Sequence, residues 1–451
     1  MKKLIERGIY ALVFLLPWQT RLIVEAGKIN GGASEYLTHS LYGVDLLLVG
    51  LFFLALFHFH KSFFLEAKPP RRGLASKKSF TSICPFMEVK LLLIFLVLGA
   101  VSIFWAENKN LVLFREAQLI LAVGFFWLIA NFTKISKLAF SFLFSLIIPT
   151  SLGLWQFFAQ TTFGNKWLGL AQHNASLGGT SVIETFSSGI VDGRWLRAYG
   201  SFDHPNILGA TLAIGLLVAL ALLLKLKKVA KPDYLKLFLL ASLILFSAGI
   251  FVSFSRSAWL ALALGIIFMG TSLFLQKNFA DLKKLFLGVV IIGMVFLMLF
   301  LGYQNLVNVR VEGGTRLENL SLDQREVYWK QAKNLILQKP ITGVGIGNYI
   351  PALLKSDSIN QAWAYQPVHN VLSLIWAELG IFGLLTFLSL LIILFWKFGR
   401  KNIISGSLLI AILPMLWLDH WLWSFHCGLL FFALVISLAV GFSEKRRYNC
   451  R

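Results

Sequence analysis

Acidic residues are scarce in this chain. It has 21 aspartates and glutamates among 451 residues, against 42 lysines and arginines, and charged side chains of both signs make up only 14%. A soluble domain of this length carries far more charge on its surface, so a soluble fold is excluded. Cysteine is scarce as well, with three in all. Cys84 and Cys450 fall in segments assigned below to the cytoplasm and Cys427 within a span, so no disulfide is expected. No Cys-x-x-Cys pair or Cys/His cluster has the spacing of metal ligands. What is abundant is apolar: 57% of the residues are hydrophobic, gathered in runs of about 20, each long enough to cross the ~30 Å hydrocarbon core as a helix. The expected fold class is an all-α polytopic membrane protein.

About twelve spans are read, at roughly 7–24, 41–59, 90–106, 111–131, 138–160, 205–224, 234–254, 257–276, 284–303, 371–396, 403–419 and 423–442. The first carries Pro17 and Arg21 and no clear small-residue cleavage site follows, so it reads as an uncleaved helix. The net charge of +21 is not a basic face interleaved with aromatics, which excludes nucleic acid. It lies in clusters: Lys2, Lys3 and Arg7; Lys61 to Lys90; Lys134 and Lys137; Lys225 to Lys231; Lys277 to Lys284; Lys397 to Lys401; and Lys445 to Arg451. Every even-numbered connection is basic. By the positive-inside rule both termini are cytoplasmic and the odd connections face outward.

Residues 1–204 then hold spans 1–5 and a first long external loop. Residues 205–303 hold spans 6–9, residues 304–370 form a large external loop, and 371–451 hold spans 10–12 and a tail. In the large loop, residues 323–338 have helical periodicity, with Val327, Ala332, Leu335 and Ile336 on one face and Pro340 beyond the end. This helix is expected to lie on the bilayer or to cap a site. The Pro-, Lys- and Ser-rich stretch from Phe64 to Phe86 reads as a floppy cytoplasmic loop.

Three polar islands stand at the mouths of spans: Arg197 to Asn206, Phe254 to Trp259, and Val368-His369-Asn370 followed by Glu378-Leu-Gly380. Topology puts all three on the outer face. Arg197 and Arg256 offer permanently charged planar forks suited to phosphate oxygens, and the two together suit a diphosphate. Each equally suits an interfacial arginine that snorkels to headgroups. Arg194 competes with Arg197 for its role. His369 can accept a proton from a sugar hydroxyl, or can be a hydrogen-bonded helix-start histidine. His204 is a rival base, as are Asp203, Glu184 and Glu378; His420 and His426 are less attractive. Pro205 marks a helix start whose exposed amides, near Asn206, favour an anion. Asn370 opens span 10. Gly343-x-Gly345-x-Gly347 follows a helix and lacks a Lys-Ser/Thr pair, so it reads as a turn approaching lipid or substrate and not a nucleotide loop. No Asp-x-Asp motif stands in an outward loop to hold a metal on a diphosphate.

Arg197-x-x-Gly200-x-Phe202-x-x-Pro205-Asn206, Ser255-Arg256-Ser-Ala, Pro340-x-x-Gly343-x-Gly345-x-Gly347-Asn-Tyr349 and His369-Asn370 with Glu378-Leu-Gly380, in this order, resemble the O-antigen ligase and polymerase superfamily. The motifs cover about residues 190–390. The resemblance implies a GT-C-like membrane glycosyltransferase that takes a glycan from an undecaprenyl-diphosphate donor, with neither metal nor other cofactor, and passes it to an acceptor hydroxyl on a lipid core, glycan or protein. It implies an inverting transfer in which Arg197 and Arg256 bind the diphosphate and His369 activates the acceptor. Ligase, repeat-unit polymerase and protein O-oligosaccharyltransferase all fit. A flippase or transporter needs polar residues at mid-depth in several spans, and the spans read as clean there.

Overall fold

The computed structural model describes residues 1–66, 86–187, 190–226, 234–313, 315–356 and 360–443. Most of the expected loop 64–86, with Cys84, lies outside them. So do Lys227, Lys228 and Lys231, Cys450, and the basic run from Lys445 to Arg451.

The chain folds into an all-α membrane architecture. Its helices are α1 Lys2–Leu15, α2 Gly43–Glu66, α3 Phe86–Val101, α4 Lys109–Phe132, α5 Ile135–Ala159, α6 Pro205–Lys225, α7 Tyr234–Ser253, α8 Arg256–Leu275, α9 Phe279–Glu312, α10 Arg316–Gln338, α11 Tyr349–Ser356, α12 Val371–Leu394, α13 Ile403–Leu418, α14 Trp421–Ser424 and α15 His426–Ser443. Among the described residues ten helical segments are long and apolar enough to cross a membrane. The other two of the twelve expected spans are α1, with 14 residues, and α13, with 16. Helix α6 is the most enclosed: its residues are buried almost without interruption from Pro205 to Leu222. It packs on α5, α7, α8, α9 and α13 and forms the axis of the bundle.

Among the described residues three short antiparallel pairs decorate this bundle: β1 Arg21–Glu25 with β4 His39–Tyr42, β2 Lys28–Ile29 with β3 Gly32–Ala33, and β5 Val182–Ser187 with β6 Ile190–Leu196. The first pair corrects the first expected span. That helix stops at Leu15 rather than continuing to 24, because Pro17 has no amide for the ladder. The chain then turns into a strand held by an ion pair from Arg21 to Glu35.

The connections that carry the polar islands touch one another, so they share one end of the bundle. Thr20 donates to the Trp167 carbonyl, Asn30 to the Asn360 carbonyl and Lys355 to Glu107, while Asn108 and Asn348 exchange hydrogen bonds. The basic connections meet at the other end. There Lys284 reaches the Leu224 carbonyl, Lys397 pairs with Glu88, and Asn402 donates to the Phe442 carbonyl.

Two further expectations change. The spans are not clean of polar groups: Asp45, Glu116, Gln118, Glu378 and His426 are buried within helices, with Arg115 beside them. All lie in the half of the bundle nearest the polar end. The glycine-rich turn is packed on protein through most of its length. Val344 and Gly345 donate to the Ala377 and Glu378 carbonyls of α12, where Gly380 breaks the helix with φ +68°. A Cβ on Gly380 would stand 1.9 Å from the Ile341 carbonyl oxygen, so the kink and the turn require each other.

Candidate active site

Arg197 follows directly on β6, and its guanidinium is buried at the centre of the polar end. Nε donates to the Ser253 carbonyl at 2.9 Å, and Nη2 to Asn206 Oδ1 at 2.8 Å and to the Phe254 carbonyl at 3.3 Å. Phe254 supplies that carbonyl by adopting φ +48° in the tight turn between α7 and α8. A left-handed phenylalanine is strained by about 1–3 kcal/mol. Here the conformation aims one carbonyl at two arginines, since Arg310 Nε donates to it as well at 3.1 Å. Ser255 caps α8, its hydroxyl accepting from the Ala258 amide, and this places Arg256 at the first position of the helix.

Arg194 has no part in the group. Three residues upstream on a strand puts it on the opposite face, where it pairs across the hairpin with Glu184 and donates to the Ser176 carbonyl. Glu184 itself is buried and bonded to Arg316 at 2.7 Å, which ties the hairpin to the start of α10. It is not a base.

Helix α10 closes the site as a cap. Thr315 caps it, and Glu318, Arg325, Tyr328, Ala332 and Leu335 recur along one face at helical spacing. Tyr328 takes the buried place expected of Val327, which is exposed. Glu318 pairs with Arg256 at 3.1 Å and makes a close pair with Arg310. Arg256 also donates to the Arg310 carbonyl at 3.3 Å. Four guanidiniums, Arg197, Arg256, Arg310 and Arg325, thus gather around two carboxylates, Glu318 and Asp419. The surplus of positive charge suits an anion with several oxygens.

His369 stands beside this group. Its ring stacks on Tyr328 with centroids 5.7 Å apart and planes 11° apart, and meets His420 edge-on at 4.9 Å. Nδ1 is buried and has no hydrogen-bond partner among the described residues. Asp419 lies behind: Oδ1 accepts from the His420 amide at 2.8 Å and Oδ2 from Asn206 Nδ2 at 2.9 Å. Asn206 therefore bridges Arg197 to Asp419 and links the two halves of the site. Burial holds the His369 imidazole below its ordinary value; Asp419 opposes this and Arg325 reinforces it. Burial likewise pushes His420 down to about 3. Burial works to raise Asp419, but the surrounding imidazoles and the Asn206 amide outweigh it and keep the carboxylate ionised.

His204 is not a rival base. Its Nδ1 accepts from the Asn206 amide as the N-cap of α6, and its Nε2 is bonded to Ser181 at 3.0 Å. Removing that cap in His204→Ala is expected to cost about 0.5–2 kcal/mol of stability and to lower the thermal unfolding midpoint. Transfer rates should stay within a few-fold; a hundredfold loss would return His204 to the list of bases. Asn370 caps α12 through the Ser373 amide and donates to the Trp417 carbonyl. Glu378 is buried in α12, accepting from Trp423 Nε1 at 2.8 Å. Asp203 is exposed.

The carboxylate and imidazole ligand atoms of His369, Asp419 and His420 lie within 4.8 Å of one another, a grouping that also has the donor set of a metal site. Sequence spacing concealed it, because His369 and Asp419 are 50 positions apart. Both Asp419 oxygens and His420 Nδ1 already hold protein hydrogen bonds, which fits a proton-transfer network at least as well.

Helices of spanning length, with arginines and histidines gathered at one end beneath an amphipathic cap, define a polytopic membrane protein. Residues 240–388 match a family model described as O-antigen ligase. That match supports the resemblance to the O-antigen ligase superfamily over these residues. No curated protein matches the chain. The matched span includes Arg256, Arg310, Glu318, Arg325 and His369 and leaves out Arg197, Asn206 and Asp419.

Proposed function

We propose that the protein transfers a glycan from an undecaprenyl-diphosphate donor to an acceptor hydroxyl on the outer face of the bacterial inner membrane, as a ligase. The carrying observation is the juxtaposition of two unlike groups: four clustered arginines, and an imidazole held between Tyr328 and His420 with a buried nitrogen that has no partner among the described residues. The outward orientation is supported by the lysines at the opposite end of the bundle, which the positive-inside rule assigns to the cytoplasm. No nucleotide sugar is available on the outer side, so the donor is lipid-linked.

His369 takes the proton of the acceptor hydroxyl as that oxygen forms a bond to the sugar C1. The bond from C1 to the diphosphate oxygen breaks on the opposite side, and its electron pair leaves with the diphosphate. Inversion at C1 follows from this single displacement. Arg256 and Arg325 meet the charge that grows on the leaving group, where preorganised electrostatics lowers the barrier most. Arg197 holds Asn206 and the Phe254 turn and adds its field. Asp419 orients the imidazoles and stabilises the imidazolium. In this reading the histidine and arginine residues supply the chemistry without a metal, and a chelator leaves transfer unchanged.

A base must be unprotonated. With its pKa below the usual 6.5, His369 is neutral at pH 7. The rate is therefore expected to be flat between pH 7 and 8 and to fall only on acidification, with an acid-limb midpoint below 6.5 in kcat/KM. A midpoint above that value contradicts the assignment. Analysis of carrier-lipid glycans in a deletion strain tests the ligase reading: long chains remaining on the carrier support it, and accumulation of single repeat units shows a polymerase instead.

A further inference from the structure

The groups beside the arginines, His369, Asp419 and His420, have a second capacity. One ligand atom from each lies within 4.8 Å of the others. Two imidazoles on one tetrahedral Zn²⁺, with bonds of ~2.0–2.1 Å, have ring centroids about 5 Å apart. The rings of His369 and His420 stand 4.9 Å apart with planes at 80°. They come from different parts of the chain. His369 precedes α12, while Asp419 and His420 are consecutive in the turn between α13 and α14. A small closing rotation of these side chains completes the grip.

The hydrogen bonds around the trio leave a ligand position on each member. His420 Nδ1 is bonded to Ser424 Oγ at 2.6 Å, which leaves Nε2. Asp419 Oδ1 accepts from the His420 amide and Oδ2 from Asn206 Nδ2, and each carboxylate oxygen has a second lone pair. His369 Nδ1 is buried and has no hydrogen-bond partner among the described residues. Tyr328 stacks on a face of that ring, so the lone pair in the ring plane stays open. Metal-binding imidazoles and carboxylates are held by outer partners of this kind, which fix their orientation. Two imidazoles and a carboxylate form a Zn²⁺ set with a fourth position left for water. Mg²⁺ and Ca²⁺ ask for oxygen ligands, and the trio supplies a single carboxylate. His204 does not join, because both its nitrogens are spent. Charge opposes the ion: Arg325 acts on both imidazoles and repels a cation.

We propose that His369, Asp419 and His420 bind Zn²⁺, and that the bound ion stops transfer by taking the nitrogen lone pair with which His369 accepts the acceptor proton. The metal site stands on geometry alone; the brake rests on the transferase reading above. The ion is a reversible inhibitor and not a cofactor, so transfer proceeds with chelator present. The test is calorimetric titration of Zn²⁺ into the metal-stripped full chain in phosphatidylcholine nanodiscs. It is repeated with Co²⁺, whose visible bands strengthen on tetrahedral coordination. The wild type should take up one ion per chain, and excess Mg²⁺ should not displace it. His369→Ala and His420→Ala should each abolish this uptake, and Ser424→Ala should weaken it about tenfold. Arg325→Ala should tighten it, the reverse of its effect on an anionic donor. Unfolding midpoints close to wild type show that the losses are local; if His420→Ala does not fold, His369→Ala and Ser424→Ala decide. Wild-type transfer should fall about 100-fold as the site fills, the worth of a general base, and recover on adding chelator. No uptake, or uptake that survives the histidine variants, overturns the site and leaves the transferase reading standing. Uptake with transfer unchanged or raised overturns the brake. A wild type that binds Zn²⁺ but transfers nothing in chelator overturns the transferase reading, and the brake with it, and keeps the metal site.

Discussion

His369→Ala is expected to lower glycan transfer by about 100- to 10,000-fold, the usual worth of a positioned general base, while donor affinity stays within about twofold. The argument is geometric. The ring is held on two sides, by Tyr328 and His420, and Nδ1 has no partner among the described residues. His204, by contrast, spends both nitrogens, on the Asn206 amide and Ser181. The alanine variant leaves the arginines in place, so a lipid-diphosphate analogue should still bind. Near-normal turnover in this variant would remove His369 from the mechanism. Weakened donor binding with unchanged turnover would make it a donor contact.

Arg256→Ala is expected to weaken donor binding and transfer together by 10- to 100-fold, as for the loss of one to two charge-assisted hydrogen bonds of about 1.5–3 kcal/mol. Arg256 and Arg197 separate here. Arg197 is buried with three hydrogen bonds to the Phe254 turn and Asn206, so Arg197→Ala should also reduce the yield of folded protein. Arg256 has a side chain 37% exposed and rests on Glu318 and one carbonyl, so its removal should leave the unfolding midpoint in place. Arg325→Ala should behave like Arg256→Ala. Unchanged donor affinity in Arg256→Ala would contradict a diphosphate role.

The helices and the three polar islands were legible because apolar length and local motifs are written along the chain. Arg197 was separable from Arg194 by strand alternation, a signal the doublet carried but composition did not expose. The rest of the site has no local signature. Arg310 and Arg325 are single charges on helices, and Asp419 sits in a two-residue connection between aromatic segments. Each becomes meaningful only when α9, α10 and the α13–α14 turn meet over α6. On α10, reading the polar residues at helical spacing along with the apolar ones would have found Glu318, Arg325 and Tyr328 on one face. The Gly343–Gly347 motif misled for the same reason: its partners, Glu378 and Arg115, come from helices distant in sequence.

The most direct test uses the purified chain in nanodiscs with an undecaprenyl-diphosphate-linked glycan and a soluble acceptor sugar, with chelator present. Released undecaprenyl diphosphate and glycosylated acceptor should appear in equal amounts, and neither should form with His369→Ala. Movement of intact lipid-linked glycan across the bilayer, with no diphosphate released, would contradict the account.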